Sequence, residues 1–285
     1  MTGRADPWLR RFLSACRTGP SAVVGMAALL VVCAMALYSV FLDGRDPFDI
    51  VSLPHRAPTF VGPLPLGTDY LGRDLAVCLL AGAAPTLSVA AVAAGLAMVL
   101  GVALGALAGF FGGRLDDLLM RFTEFFQVLP ALLFAMVLVT LWSPSPTTIA
   151  LTIGFVAWPP TARLARAEFL RIRDLEYVVA ARAAGAGAGH LMWRVILPNA
   201  APPLIVSATL VVTTAILFEA ALSFLGLGDP DTMSWGQIIG ANREYVLDAW
   251  WPVAFPGLAI FLTVLAVSLL GDGLNRILDP KSDGA

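Results

Sequence analysis

The sequence predicts an all-α, polytopic membrane protein, and three observations lead to that fold class. Hydrophobic residues make up 58% of the 285 residues, and the mean hydropathy is +0.82. Charged residues make up only 13%, whereas a soluble domain carries about 25%. The apolar residues are gathered into runs of about 20, the length that a helix needs to cross the hydrocarbon core with its backbone groups paired internally.

Six such runs divide the chain. They cover residues 21–41, 86–111, 125–142, 147–162, 204–226 and 250–270. The fourth run is the weakest, because it is short and meets Pro159 and Pro160 near its end. The predicted segments are a cytoplasmic N-terminal segment, a first span, an external loop, a core transmembrane domain and a cytoplasmic tail, at residues 1–20, 21–41, 42–85, 86–270 and 271–285.

The distribution of basic residues predicts the orientation. With the N-terminus inside, fourteen of the 18 basic residues lie on the cytoplasmic side, and the other four are Arg45, Arg56, Arg73 and Arg243. This asymmetry follows the positive-inside rule. We therefore predict that both termini, and the long connection at residues 163–203, are cytoplasmic.

The polar residues exclude several functions. A net charge of −2 gives no electrostatic basis for binding nucleic acid. Two histidines, neither inside a predicted span, and three cysteines without CxxC spacing predict no catalytic centre, metal site or bound cofactor. The single lysine, Lys281, lies outside any glycine-rich turn, so the chain has no nucleotide-binding P-loop of its own.

Glu219 is an acidic residue inside the fifth predicted span. Placing such a group at the centre of a span costs about 2.5–3.5 kcal/mol, so it should face the bundle interior or water. Three interpretations remain open: a place on a translocation path, a structural hydrogen bond between helices, or a position nearer the outer surface. An ion-coupled secondary transporter, the competing class, would carry several such groups, whereas Glu219 stands nearly alone.

Two further patterns predict helix contacts. Gly101, Gly105 and Gly109 form a flat strip on the second span against which another helix can pack closely. In the 163–203 connection, Asp174 can cap a short helix that Gly185 ends. Such a helix has little reason to be stable alone, so we expect it to dock into a partner through its aromatic and small residues, Tyr177, Ala180, Ala181, Ala183 and Ala184.

The same connection carries a family signature. Residues 179–198 resemble the E-A-A-x3-G-x9-I-x-L-P motif of binding-protein-dependent ABC transporter permeases. The matching residues are Ala180, Ala181, Gly185, Leu197 and Pro198, while Val179 and Val195 replace the Glu and Ile of the motif.

Other segments are similar to the dipeptide, oligopeptide and nickel branch of that family, in its second, C-type permease. The element before the second span, residues 66–74, includes Gly67, Thr68, Asp69, Gly72, Arg73 and Asp74. Later matches, in the family's order, are at residues 223–228, 234–236, 271–274 and 278–280.

The resemblance implies a six-span subunit with the type I ABC importer permease fold, in the inner or plasma membrane of a prokaryote. It would pair with a second permease, dock on two ATPase subunits that bind ATP and Mg²⁺, and receive solute from an external solute-binding protein. The solute would be a peptide, with nickel or another small solute as the alternative. The implied ATPase-coupling residues are Glu176, Tyr177, Ala180, Ala181, Arg182, Gly185, Leu197 and Pro198.

On the external side, Asp69, Arg73 and Asp74 either pair internally or meet the binding protein, and we favour internal pairing. Trp235, Trp250 and Trp251 are predicted to be anchors at the membrane interface.

Overall fold

The computed structural model describes residues 20–40 and 45–278. Most of the two predicted terminal segments lies outside this range. The described chain is helical, with two isolated antiparallel bridges, Ile50 with Arg73 and Thr68 with Asp74. The helices are α1 (Pro20–Val40), α2 (Leu75–Phe111), α3 (Gly113–Val128), α4 (Ala131–Thr140), α5 (Pro146–Ala157), α6 (Pro159–Arg173), α7 (Glu176–Ala183), α8 (Ala188–Phe224), α9 (Trp235–Asn242) and α10 (Trp251–Leu278).

Each of the six predicted spans overlaps one of these helices or an adjacent pair. α2, α8 and α10 are each long and apolar enough to cross a membrane, and α3 with α4 qualifies as one span bent by 84°. α5 is apolar but shorter, and so is the apolar stretch Val23–Ser39 within α1.

α2 begins at Leu75, so it takes in the end of the predicted external loop. The Asp74 side chain accepts a hydrogen bond from the Ala76 N–H at 2.9 Å and so caps the helix. The predicted external loop extended to residue 85, but the helix begins ten residues earlier and continues through Pro85. A proline removes one backbone hydrogen bond, a loss that the packing around α2 outweighs.

The glycine strip of α2 packs on α6, as predicted. A Cβ atom added at Gly101 would lie 2.6 Å from Thr161 Cβ, and one added at Gly109 would lie 2.7 Å from Phe169 Cβ. At Gly105 an added Cβ would overlap the Ala162 carbonyl oxygen. The two helix backbones are therefore in direct contact, which is the packing that lipid favours.

Two of the three tryptophans assigned to the interface lie in the core instead. Trp235 is fully buried, and its Nε1 donates to the Leu79 carbonyl at 2.8 Å. Trp251 is 7% exposed, and its Nε1 donates to the Thr68 carbonyl at 3.0 Å. The interface prediction was wrong for both, because their indole N–H groups find backbone partners inside the protein. Trp250, at 54%, is exposed.

We expect Gly105→Ala to destabilise the protein, because the added methyl group has no space between α2 and α6. Overpacking of this kind costs about 1–3 kcal/mol. The measurement is the thermal unfolding of the purified chain in detergent. Gly95→Ala, in the same helix with nothing within 4 Å of the added Cβ, is the matched control. Equal melting temperatures for the two variants would contradict the contact.

Candidate functional site

The connection at residues 163–203 folds into a compact unit rather than an open loop. α7 is anchored by Val178, which is fully buried. It packs in a cluster with Phe169 and Ile172 of α6 and with Leu191 and Ile196 of α8. The short helix is therefore held by its own chain on one side.

Gly185 ends α7, as predicted, through a left-handed turn with φ of +90°. The Gly185 N–H donates to the Arg182 carbonyl at 3.0 Å, and the Ala186 N–H donates to the Ala181 carbonyl at 3.1 Å. This pair of bonds is the Schellman arrangement that satisfies the last carbonyls of a helix. The turn fixes where α7 stops and where α8 begins.

The predicted cap at the start of α7 is wrong. The Asp174 side chain is mostly exposed and lies 3.6 Å from Arg173 Nε. Asp174 instead closes α6, and Leu175 occupies the N-cap position of α7 without a side-chain cap. Two residues, Asp174 and Leu175, separate the helices, and because Leu175 is the one next to α7, the aspartate lies one position too early to cap it.

The outer face of α7 is open. Its exposed residues are Glu176, Tyr177, Val179, Ala180, Arg182, Ala183 and, at the C-cap, Ala184. Ala181 differs from the docking prediction, because it is half-buried and packs against the cluster around Val178. A bulky residue at position 181 would therefore disturb internal packing first.

Leu197 and Pro198 lie at the junction where α8 changes its winding. Residues Leu191–Ile196 form a π-helical turn, and the Leu197 N–H reaches back to the Met192 carbonyl. Leu197 packs on the Val178 cluster, while Pro198 is exposed. The wider turn ends just before a proline that has no N–H to donate.

Two arginines tie this unit to the end of α2. Arg173 Nη1 donates to the carbonyl oxygens of Gly109 at 2.9 Å and Phe110 at 3.4 Å. A cation at a helix C-terminus also interacts favourably with the helix dipole. The Arg182 guanidinium lies 5.9 Å from the centre of the Phe110 ring. Sequence reasoning missed both contacts, since they join residues about 70 positions apart, a distance that helix periodicity does not reveal.

A third arginine ties α6 to α3. Arg166 forms a two-pronged ion pair with Asp116, with N···O distances of 2.5 and 2.6 Å. The hydrogen bond that Arg166 donates to Asp116 raises the pKa of Arg166, which lies beyond the end of the fourth predicted span. The pair fixes the start of the bent α3–α4 pair on α6.

On the opposite side of the bundle, residues 66–74 form a closed network around Asp69. The Asp69 carboxylate accepts hydrogen bonds from the N–H groups of Leu71 and Arg73, both at 2.9 Å, and from Arg73 Nε at 2.6 Å. Asp69 and Arg73 are 2% and 9% exposed. The favoured internal pairing is confirmed for this pair.

The same element is braced against the rest of the external loop. The buried Thr68 hydroxyl donates to the Leu53 carbonyl at 2.7 Å and accepts from the Arg56 N–H at 2.9 Å. Gly67 and Gly72 adopt positive φ, and a Cβ on either would overlap a loop carbonyl. The Tyr70 N–H donates to Asn242 of α9 at 3.0 Å. These residues thus shape the external cap rather than forming its outer surface.

Glu219 is enclosed by helices. It is 2% exposed, and its Oε1 accepts a hydrogen bond from Ser223 at 2.8 Å. Thr86 of α2 and Ser234 at the start of α9 lie close to the carboxyl group, while among the described residues Oε2 has no hydrogen-bond partner. Enclosure by α8, α2 and α9 favours a structural role, although the one hydrogen bond to Oε1 comes from the same helix.

A metal site was not expected, and within residues 20–40 and 45–278 no group of His, Cys, Asp and Glu side chains is placed to hold an ion. We assign no residue to a cofactor.

Membrane-length helices, with a loop network at one end and a short helix with an exposed face at the other, define a polytopic integral membrane protein. Residues 101–284 match the family described as binding-protein-dependent transport system inner membrane component. The chain therefore belongs to this family, the permease subunits of ABC importers, in which separate subunits hydrolyse ATP.

Similar proteins cover nearly the whole chain. It is 42% identical over 279 residues to the dipeptide transport system permease protein DppC of Escherichia coli, covering 96% of this chain and 93% of that protein. It is 38% identical over 283 residues to the di/tripeptide transport system permease protein DppC of Pseudomonas aeruginosa, covering 97% and 93%.

The fold also matches a solved structure. A chain of the inward-facing MetNI methionine ABC transporter superposes with a TM-score of 0.61 at 21% identity, covering 71% of this chain and 96% of that one. At this identity the match shows the permease fold alone.

Asp69→Asn should destabilise the external cap, because it leaves Arg73 buried without its counter-charge. Breaking a buried ion pair from one side costs about 3–5 kcal/mol. The check is thermal unfolding together with protease resistance of the external loop. Asp231→Asn, at an exposed position, is the control, and a cap as resistant in Asp69→Asn as in this control would refute the bracing role.

Proposed function

We propose that this chain is one of two permease subunits that together form the translocation pathway of an ATP-driven importer for di- and oligopeptides. Support for the peptide substrate comes from relatives named as dipeptide and di/tripeptide permeases, which align with almost the full chain. We infer a second, related permease and an external solute-binding protein as partners. ATP and Mg²⁺ would be bound by two ATPase subunits.

The observation that carries the coupling mechanism is the two-sided character of α7. Its inner side is fixed by Val178, and its outer side presents Tyr177, Ala180 and Ala184 to solvent. A helix of eight residues is too short to be stable alone. Its exposed small residues suit close seating in a groove of an ATPase subunit, with Tyr177 as the larger anchor.

The contacts of α7 also explain how such docking would move the bundle. Arg182 and Arg173 connect the unit to the end of α2, and the Val178 cluster connects it to α6 and α8. Packed elements of this kind move as rigid bodies rather than deforming. Closure of the ATPases around ATP would therefore rock α2, α6 and α8 together between inward-open and outward-open states.

The orientation follows from the same proposal. α7 faces the cytoplasm, where the ATPases are, and both termini lie on that side of a prokaryotic inner or plasma membrane. The cap built from residues 45–74 and the segment around α9 then faces outward, where a binding protein delivers solute. The excess of arginine on the α7 side supports this orientation.

Ala180→Trp should weaken ATPase docking without disturbing the fold, because Ala180 is exposed on the outer face of α7. We expect copurification of the ATPase subunits and ATP-dependent peptide uptake to fall at least about tenfold, equivalent to about 1.4 kcal/mol of binding. Ala91→Trp, at an exposed position of α2, is the matched control and should behave as wild type.

Ala181→Trp separates the two faces of α7. Because Ala181 packs inward, this variant should lower the melting temperature of the chain, whereas Ala180→Trp should not. Wild-type uptake by Ala180→Trp, or labelling of an Ala180→Cys thiol from the external side of intact cells, would contradict the proposed coupling and topology.

A further inference from the structure

A cavity of about 440 Å³ lies where two helix breaks meet. One break, at Leu129 and Pro130, is the 84° bend between α3 and α4. The other separates α5 from α6 at Trp158. Residues from both breaks and from the middle of α8 line the cavity, among them Gln127, Pro130, Val156, Pro160, Ser207 and Thr214.

The cavity lies within the depth of the membrane-spanning helices, toward the end of the fourth predicted span at which Pro159 and Pro160 occur. α5 runs for 12 residues from Pro146 to the break, which is about 18 Å along its axis at about 1.5 Å per residue. Thr214 lies ten residues before the end of α8 at Phe224, or about 15 Å by the same measure. Both distances are about half of a hydrocarbon core of about 30 Å.

The breaks leave backbone groups without helical partners. Pro159 and Pro160 have no N–H, so the carbonyls of Phe155 and Val156 lose the donors that would lie four residues further on. α4 begins at Ala131 without a side-chain cap, which leaves N–H groups in its first turn. At membrane depth, irregular backbone is tolerated where protein buries it or where it lines a watery cavity.

The polar side chains of the cavity are all neutral. Thr214 donates its hydroxyl to the Leu210 carbonyl at 2.9 Å, so its oxygen can still accept. Gln127 accepts from Arg163 at 3.1 Å, so its amide nitrogen can still donate. Ser207 adds a second hydroxyl, and the residues that line the cavity include no Asp, Glu, Lys or Arg. The lining itself therefore offers neutral donors and acceptors, while the Arg163 guanidinium lies beside it, hydrogen-bonded to Gln127.

We propose that this cavity is where the translocated solute contacts this chain, and that it binds an extended peptide through main-chain amide groups. The inference rests on the proposed function. Neutral donors and acceptors match the N–H and C=O of a peptide bond and are indifferent to its side chains, as a permease for varied peptides requires. The volume falls within the range of about 300–1,000 Å³ common for small-ligand sites. Discontinuous helices at mid-membrane form binding sites in other transporters.

The test uses the whole importer in proteoliposomes: this chain, the second permease, the ATPases and the binding protein loaded with a dipeptide. Ser207→Trp fills the cavity, so dipeptide uptake should fall at least about tenfold, a loss typical of a blocked site. ATP hydrolysis stimulated by the loaded binding protein should persist, because α7 is untouched. Leu217→Trp, exposed on the same helix outside the cavity, is the matched control, and equal uptake by the two variants would overturn the proposal.

A smaller substitution at Ser207 tests the proposal even if Ser207→Trp fails to fold. Ser207→Cys, combined with Cys16→Ser and Cys33→Ser, should react with a small thiol reagent, and dipeptide present during turnover should slow that reaction. An unchanged reaction rate would overturn the proposal. If the unmodified importer takes up nickel but no peptide, the proposed function itself is refuted. Failure of the proposed function is therefore distinguishable from failure of the proposed cavity.

Discussion

The structure depends on the direct backbone contact between α2 and α6. Three glycines let α6 lie directly against the last third of α2, and only two residues separate α6 from α7. In lipid this close approach is a main source of helix association, because apolar surfaces gain nothing by leaving an apolar solvent. The position of the short helix relative to the bundle is therefore set by how closely two backbones can meet.

Much of the fold could be predicted from the sequence, because a membrane-spanning helix is recognisable as a run of about 20 mostly apolar residues. The glycine strip, the stop at Gly185 and the pairing of Asp69 with Arg73 were also predictable, since each depends on residues close together in the chain. The predicted end of the external loop, at residue 85, was too late, because a helix can continue through a proline such as Pro85 when the surrounding packing supports it.

The parts that sequence could not supply depend on distant residues. Tryptophan is enriched at membrane interfaces, but Trp235 and Trp251 are buried because the backbone carbonyls of Leu79 and Thr68 accept hydrogen bonds from their indole N–H groups. Asp174 has a suitable side chain for an N-cap, but it lies one residue before the N-cap position of α7 and instead ends α6. The cavity between the two breaks likewise needs α8 to close it, and no local pattern indicates that meeting.

The external cap has a consequence for how the chain is made. Thr68 and Tyr70 leave the ribosome early, but their partners, Trp251 and Asn242, are among the last fifty residues. Until synthesis is nearly finished, the Thr68 carbonyl and the Tyr70 amide have no protein partner. A product truncated before Asn242 therefore lacks two of the hydrogen bonds that close this loop, and its loop should be cleaved more readily by protease than that of a chain containing Asn242 and Trp251.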